Sequence, residues 1–181
     1  CLVIISIFLS SASLYAITPV VIDDNTESVS LGRYMEILED PTGKLTIDDV
    51  TKPEMQNRWF QSKWDVPNFG YSKSAYWIRY EIYKQFYCES YSELSYPPIN
   101  TIEYYQFVKG SNTYSKIITG NLNSFYQRQI FSNNYIFKDD FDNKSKIIYL
   151  KIYGESTLQL PLIISTETKY FKHTIIMASL A

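Results

Sequence analysis

Residues 64–80, Trp-Asp-Val-Pro-Asn-Phe-Gly-Tyr-Ser-Lys-Ser-Ala-Tyr-Trp-Ile-Arg-Tyr, form a turn-rich loop that leads directly into a strand-like segment. From Tyr76 to Ile82 the even-numbered positions hold Tyr, Ile, Tyr and Ile, whereas the odd-numbered positions from Ala75 to Glu81 hold Ala, Trp, Arg and Glu. Side chains of a β-strand point alternately to its two faces, so this pattern is typical of a strand with one buried face. The sequence therefore predicts a half-buried strand over 74–83.

Short segments rich in Ile, Tyr, Phe and Thr follow at regular intervals. They are separated by turn residues that include Gly110, Gly120 and Gly154. Several short strands at this spacing predict an all-β fold in which two sheets form a sandwich. The predicted strands span residues 101–108, 113–119, 134–137, 146–153 and 157–165.

One segment favours a helix. The stretch Asp-Pro-Thr-Gly at 40–43 is typical of a turn, and Thr46 after it is a suitable N-cap with acidic residues in the following turn. Pro53 is unsuited to a helix interior, so we expect only one short helix, near 46–52. No repeat, low-complexity tract or flexible linker divides the rest of the chain, which indicates one domain.

The two ends of the chain differ in composition from the middle. Residues 2–9 are an apolar run followed by small residues, which is typical of a secretion signal, and we expect a partial signal peptide over 1–16. A buried strand is the alternative for this run. The tail at 170–181 is also mostly apolar. Both apolar stretches are shorter than the roughly 20 residues that a membrane-spanning helix needs.

Charge and cysteine content exclude some functions. The chain of 181 residues has 17 basic and 19 acidic side chains, a net charge of -2. Nucleic-acid binding depends on clustered basic residues, so neither this function nor attraction to an anionic membrane surface is expected. Because Cys1 lies in the predicted leader, Cys88 is left without a partner for an internal disulfide. We expect Cys88 to be a small strand residue and not a reactive thiol.

Several segments occur in the order found in one known family. Residues 28–50 include Leu-Glu-Asp-Pro, residues 67–79 read Pro-Asn-Phe-Gly-Tyr-Ser-Lys-Ser-Ala-Tyr-Trp-Ile-Arg, and residues 156–162 read Ser-Thr-Leu-Gln-Leu-Pro-Leu. Over roughly 20–165 the chain resembles the 7TMR-DISM extracellular domain 2 family, which precedes the seven transmembrane helices of bacterial receptors with diverse intracellular signalling modules. Shorter matching pieces lie at 94–97, 102–105, 120 and 148–150.

The resemblance implies a jelly-roll β-sandwich akin to carbohydrate-binding modules, located in the periplasm as part of an inner-membrane receptor. It implies ligand binding and not catalysis, with any kinase or cyclase output beyond this chain. Residues 17–168 would be the sensor domain, and 169–181 would begin the connection to the transmembrane helices. Residues 83–92 are less aliphatic than the family's next strand, which leaves the register of that strand open.

A carbohydrate-like or other small ligand is the expected input. Sugar binding needs flat rings for stacking and polar groups for the hydroxyls, and Trp77 and Arg79 provide such a pair on one face of the predicted strand. Trp77 has a structural alternative as a core residue, and Asn68 as a turn residue. Arg79 has one as an ion-pair partner of Glu81 or Glu155. The full set of candidate ligand-binding residues is Trp77, Arg79, Tyr104, Arg128, Gln159 and Asn68.

Calcium is a second candidate input because it binds hard oxygen ligands, which carboxylates supply. Two groups of acidic residues have this composition, but neither has the spacing of a known calcium loop. Solvated turn carboxylates are the alternative, and no other cofactor is expected. The candidate metal ligands are Asp23 and Asp24, near Glu27, and Asp139 and Asp140, near Asp142.

Catalysis and protein binding are the two alternatives to ligand sensing. His173 is the only histidine, which argues against a catalytic triad and a His-based metal site. An acid pair such as Glu103 and Glu155 is an alternative that would suit a glycosidase. The 17 tyrosines also favour a protein-binding function, in which an exposed aromatic face contacts another periplasmic protein or a second copy of the chain.

Overall fold

The computed structural model of the protein describes residues 17–139 and 145–167. The predicted leader 1–16, the tail 169–181 and His173 lie outside the described residues. Strands make up most of the regular structure, so the predicted all-β class is confirmed. The strands are β1 (Val20–Ile22), β2 (Ser28–Ser30), β3 (Glu36–Asp40), β4 (Phe60–Gln61), β5 (Asn68–Tyr71), β6 (Ala75–Lys84), β7 (Ser90–Leu94), β8 (Thr101–Phe107), β9 (Tyr114–Thr119), β10 (Tyr135–Lys138), β11 (Ser145–Tyr153), β12 (Thr157–Gln159) and β13 (Leu162–Thr166). The helical segments are α1 (Ile47–Val50) and two 3₁₀ helices, Pro53–Arg58 and Phe125–Gln127.

Two main sheets form the sandwich. The first has the order β4-β3-β6-β11-β8-β9, with β1 parallel to β6, and the second has the order β10-β7-β13-β2. Four antiparallel pairs are nested along the chain: β8 with β9, β7 with β10, β6 with β11, and β2 with β13. A nested hairpin folded into two sheets is a jelly roll, so the predicted jelly-roll β-sandwich is confirmed. A third, two-stranded sheet joins β12 to β5.

The core between the two sheets contains the even-numbered residues of β6. From Tyr76 to Ile82 these residues belong to one buried cluster with side chains of both sheets. In the same cluster the rings of Tyr104 and Phe137 stack with 4.3 Å between their centroids, which joins β8 of one sheet to β10 of the other. The alternation in the sequence therefore predicts the inward face of this strand correctly.

The opposite face of β6 is also buried, so the prediction of a half-buried strand is wrong. Trp77 is 0% exposed and Arg79 is 3% exposed. Residues 43–59, here named the covering segment, pack over them and form a second hydrophobic cluster with the outer face of the first sheet. Alternation alone cannot reveal this layer, because a sequence of Ala, Trp and Arg fits either solvent or a covering segment.

The covering segment begins at the predicted turn and helix. Gly43 N–H donates to the Asp40 carbonyl oxygen across 3.1 Å, and the next segment opens with Thr46 as the N-cap of α1. Thr46 and Asp49 exchange side-chain and backbone hydrogen bonds in a capping box, which satisfies donors at the start of the helix. Pro53 then opens a 3₁₀ helix, an element that the sequence did not predict.

Two details of the predicted strands need correction. Residues 157–165 are two strands and not one: β12 pairs with β5, and after Leu160 and Pro161 the chain joins β7 and β2 in the second sheet. Proline has no N–H to donate to a continuing ladder, which accounts for the break. Cys88 lies in the loop between β6 and β7, not in a strand, where burial raises the pKa of its thiol.

Gly120 fixes the turn at the end of β9. Its φ is 134°, in the region that side-chain-bearing residues rarely adopt, and a Cβ there would lie 2.2 Å from the Asn100 carbonyl oxygen. Close backbone approach therefore requires glycine at the point where the chain leaves β9 for β10. The long connection that follows carries the exposed aromatic side chains described below.

Candidate functional site

Arg79 is the centre of a buried polar arrangement on the outer face of the first sheet. Glu36 lies directly opposite it in the pairing of β3 with β6, and the Arg79 Nε and the Glu36 Oε2 are 2.6 Å apart. The Arg79 Nη1 donates to Gln56 Oε1 across 2.7 Å, and the guanidinium lies 4.4 Å from the Trp59 ring centroid. Arg79 therefore ties β3 and the covering segment to β6. The ion-pair partner of Arg79 is Glu36 and not the predicted Glu81 or Glu155, because the register of β3 with β6 places Glu36 opposite Arg79.

Trp77 lies in the same layer and packs as a core residue. Its ring stacks on Tyr105 with 5.6 Å between centroids, and the Lys151 Nζ lies 5.4 Å from the ring. Lys151 in turn donates to the carbonyl oxygens of Gly43 and Leu45, which secures the start of the covering segment. The ring face is therefore occupied by protein in this conformation. A role of Trp77 and Arg79 in ligand binding stays a prediction.

The other candidate residues are dispersed over the domain. Tyr104 lies in the interior between the sheets, and the Arg128 guanidinium lies between the rings of Phe125 and Tyr135 in the β9–β10 connection. Asn68 and Gln159 are register partners in the small β5–β12 sheet. The structure thus brings together Trp77 with Arg79 and Asn68 with Gln159, and does not bring all six residues into one site.

One end of the sandwich contains a cleft that the sequence does not predict. It has a volume of about 890 Å³ and lies where β8, β10 and β11 end or begin. The residues that form it come from six separate stretches of the chain between Tyr87 and Tyr149, so no local motif identifies it. Its aromatic walls are the side chains of Tyr87, Phe107, Tyr114 and Tyr149.

Amide and ammonium groups are fixed beside these rings. Gln106 Nε2 donates to the Lys138 carbonyl oxygen across 2.8 Å, and the Lys146 Nζ donates to Gln106 Oε1 across 3.3 Å. Gln129 Oε1 accepts from the Lys138 N–H at 2.9 Å, and the Lys138 Nζ is 2.6 Å from Glu89 Oε1. The cleft therefore combines flat rings with positioned hydrogen-bonding groups, which is the composition of small-ligand sites.

A buried polar cluster lies next to the cleft. Its central residue, Asp139, directly follows the cleft residue Lys138 in the sequence. Asp139 is 1% exposed, and its carboxylate accepts hydrogen bonds from the Tyr104 hydroxyl at 2.5 Å and from Ser92 at 3.0 and 3.1 Å. Ser90 also donates to this carboxylate, at 3.3 Å. The Tyr80 hydroxyl donates to Ser92 across 2.8 Å. This cluster joins strands of both sheets inside the sandwich.

Burial raises the pKa of the Asp139 carboxyl to about 6, while hydrogen bonds from Tyr104 and Ser92 and the nearby Lys84 lower it. Because this value lies above that of an unfolded aspartate, about 4, the contribution of Asp139 to stability is complete below pH 4 and is lost as the pH rises through 6. We expect the stability of the wild type relative to Asp139→Asn to fall by about 2 kcal/mol between pH 4 and pH 7. Urea unfolding of both proteins across this range measures the difference. A difference independent of pH would contradict the expectation.

The candidate calcium ligands do not form a metal site among the described residues, which contain no metal-binding group of three or more His, Cys, Asp or Glu side chains. Asp23 accepts hydrogen bonds from Thr26 Oγ1 at 2.5 Å and from the Asn25 N–H, as in a turn. Asp24 is an exposed neighbour in the same turn, and Asp140 lies outside the described residues. Calcium binding stays a prediction.

The two candidate glycosidase acids have separate surroundings. The Glu103 carboxylate is 2.7 Å from the Lys116 Nζ and accepts a hydrogen bond from Tyr105, on the outer face of β8. Glu155 lies after the end of β11 and accepts a 3.4 Å hydrogen bond from the Tyr153 hydroxyl.

In the described part of the chain, no helix has the length and apolar character required to cross a membrane.

Comparison with known families adds one finding. The family model described as 7TMR-DISM extracellular 2 matches residues 32–166. The match covers about three quarters of the chain and includes β3 through β13, and so most of the sandwich. No curated protein matches the chain significantly.

Proposed function

Because the chain belongs to the 7TMR-DISM extracellular 2 family of extracellular receptor sensor domains, we propose that it senses a carbohydrate-like ligand bound in the cleft at the end of the sandwich. The observation that carries this proposal is the combination of aromatic walls with the fixed amide of Gln106. Aromatic faces stack on the C–H faces of a sugar, and amides bind its hydroxyls. A volume of about 890 Å³ lies within the usual range for small-ligand sites.

The receptor context makes binding, and not catalysis, the proposed role. We place the domain in the periplasm, with the membrane-spanning part of an inner-membrane receptor after β13. The described end of β13 lies close to the cleft: the Glu167 N–H donates to the Glu89 carbonyl oxygen across 3.1 Å, and Glu89 pairs with Lys138 of the cleft. A ligand that favours one arrangement of Lys138 and Glu89 would therefore act next to the strand that leads toward the membrane. Signalling requires different affinities for two such arrangements.

Thermal unfolding with a panel of neutral sugars, muropeptides and Ca²⁺ tests the proposal. A ligand that binds only the folded protein raises the unfolding midpoint, and at 100 times its dissociation constant it contributes about 2.7 kcal/mol. We expect a sugar or muropeptide to produce this shift. Tyr87 is 77% exposed and lines the cleft, so Tyr87→Ala should weaken binding at least about tenfold while the unliganded midpoint is retained.

Tyr71 provides the matched control, because it is 71% exposed and belongs to β5, outside the cleft. Tyr71→Ala should bind the same sugar as tightly as the wild type. The proposed function would be contradicted if no compound of the panel raised the unfolding midpoint. A shift with Ca²⁺ alone, or equal losses in Tyr87→Ala and Tyr71→Ala, would also contradict it.

A further inference from the structure

Exposed apolar side chains are concentrated on the connection between β9 and β10. Leu122, Phe125, Tyr126 and Phe131, here named the aromatic patch, are 73%, 45%, 84% and 67% exposed. The rings of Phe125 and Phe131 are 5.7 Å apart between centroids, and those of Tyr126 and Phe131 are 6.2 Å apart. Large apolar side chains that are exposed together in this way mark an interaction surface.

The patch is held in place by the chain beneath it. The Arg128 guanidinium lies 4.8 Å from the ring centroid of Phe125 and 4.7 Å from that of the buried Tyr135. The same guanidinium donates to the Ser132 carbonyl oxygen, and the Ser124 hydroxyl accepts from the Tyr126 N–H at the start of the second 3₁₀ helix. Because these contacts order the connection before binding, association through it costs less conformational entropy.

The exposure of the patch favours a protein over a sugar as the occupant. Small-ligand sites are concave and bury most of the ligand, whereas the four patch side chains are 45–84% exposed and none of them lines the cleft. Phe125 and Phe131 are stacked on each other with an interplanar angle of 15°, and Tyr126 stands at 83° to Phe131. Leu122 adds further apolar surface, and the buried core of a protein interface is more apolar than the surface around it.

The low charge of the patch favours a second copy of the chain over a strongly charged partner. Residues 120–137 contain a single charged side chain, Arg128, which is already stacked on Phe125 and Tyr135. Two neutral patches can meet about a two-fold axis without burying unpaired charge, whereas a strongly charged partner would find no complementary group. We propose that the aromatic patch is a self-association surface that joins two copies of this domain.

The area of the patch sets the expected strength. Its four side chains expose about 500 Å² on each copy, or about 1,000 Å² in the pair, which is at the lower limit for a specific interface. A weak dimer is therefore expected, one that tethering of receptors in a membrane would strengthen by raising their effective concentration. This inference does not depend on the ligand cleft or on its Tyr87.

Sedimentation equilibrium of the chain between about 10 μM and 1 mM tests the inference over the range of weak association. We expect the average mass to rise toward that of a dimer. The double variant Tyr126→Ser/Phe131→Ser should reduce the association constant at least about tenfold, since it removes the two most exposed rings of the patch. The control Trp64→Ser/Tyr71→Ser changes two side chains that are 58% and 71% exposed outside the patch, and should associate as the wild type does.

The thermal midpoint of each variant shows that the fold is retained. A chain that stays monomeric at the highest concentration would overturn the inference, as would equal losses in the patch and control variants. A patch variant that associates normally but loses binding to a soluble polysaccharide would make the patch a glycan site and would also overturn it. The association experiments do not involve the cleft or Tyr87→Ala. The proposed sugar site in the cleft can therefore fail or succeed independently of them.

Discussion

Trp77→Ala is expected to lower the free energy of unfolding by about 3–5 kcal/mol, the usual cost of removing a fully buried tryptophan side chain. Trp77 is 0% exposed and lies between the first sheet and the covering segment, where it belongs to the second hydrophobic cluster and stacks on Tyr105. The remaining cavity would weaken the attachment of α1 and of Trp59. Urea unfolding monitored by circular dichroism measures the change.

Trp64→Ala is the control for this prediction. Trp64 belongs to the loop that leads into the same strand but is 58% exposed, so its replacement should change stability by less than about 0.5 kcal/mol. Similar effects of the two substitutions would contradict the burial of Trp77. Loss of sugar binding in a stable Trp77→Ala protein would instead support a ligand-binding role for this ring.

Arg79→Ala is expected to cost about 3–5 kcal/mol, because it leaves Glu36 charged and nearly buried without its partner. The side chains of Arg79 and Glu36 are 4% and 12% exposed, and their closest N and O atoms are 2.6 Å apart. The substitution also removes the hydrogen bond to Gln56 and the cation over Trp59. Chemical unfolding of Arg79→Ala, Glu36→Ala and the double variant gives the coupling between them, which we expect to exceed about 1 kcal/mol.

The Arg33–Asp65 pair provides a matched control. Its N and O atoms are 2.7 Å apart, almost the same distance, but its side chains are 63% and 71% exposed. Solvent screens such a pair, so Arg33→Ala should cost less than about 1 kcal/mol. Additive effects of the Arg79 and Glu36 substitutions would contradict a coupled buried pair, and a large effect of Arg33→Ala would contradict the dependence on burial.

The sequence pattern of β6 predicts which face of the strand points into the sandwich, but it does not predict the segment that covers the other face. Alternation predicts the inward face of this strand because side-chain direction is a local property of the backbone. The covering segment depends on contacts between residues far apart in the chain, such as Arg79 with Gln56, which alternation does not encode. Trp77 and Arg79 thus have packing roles that their residue types alone did not distinguish from ligand recognition.

Local signals also predicted the turn and cap that lead into α1, since the Thr46 and Asp49 capping box involves residues three apart. The family resemblance, and not periodicity, supplied the jelly-roll topology, because strand order depends on long-range pairing. The cleft could not be predicted, because its walls, among them Tyr87, Phe107 and Tyr149, meet only after the two sheets form. The excess of tyrosine does not predict the aromatic patch, because Tyr126 is the only tyrosine among its four side chains.

We propose that the cleft at the end of the sandwich binds a carbohydrate-like ligand. The most direct test is a titration of the isotope-labelled chain with the sugar that gives the largest thermal shift. The NMR signals of the backbone amides are recorded at each step of the titration. We expect the largest chemical-shift changes at cleft residues, including Gln106, Phe107, Lys138 and Ile147. Changes centred on Trp77 and Arg79, on the aromatic patch, or on no defined surface would contradict it.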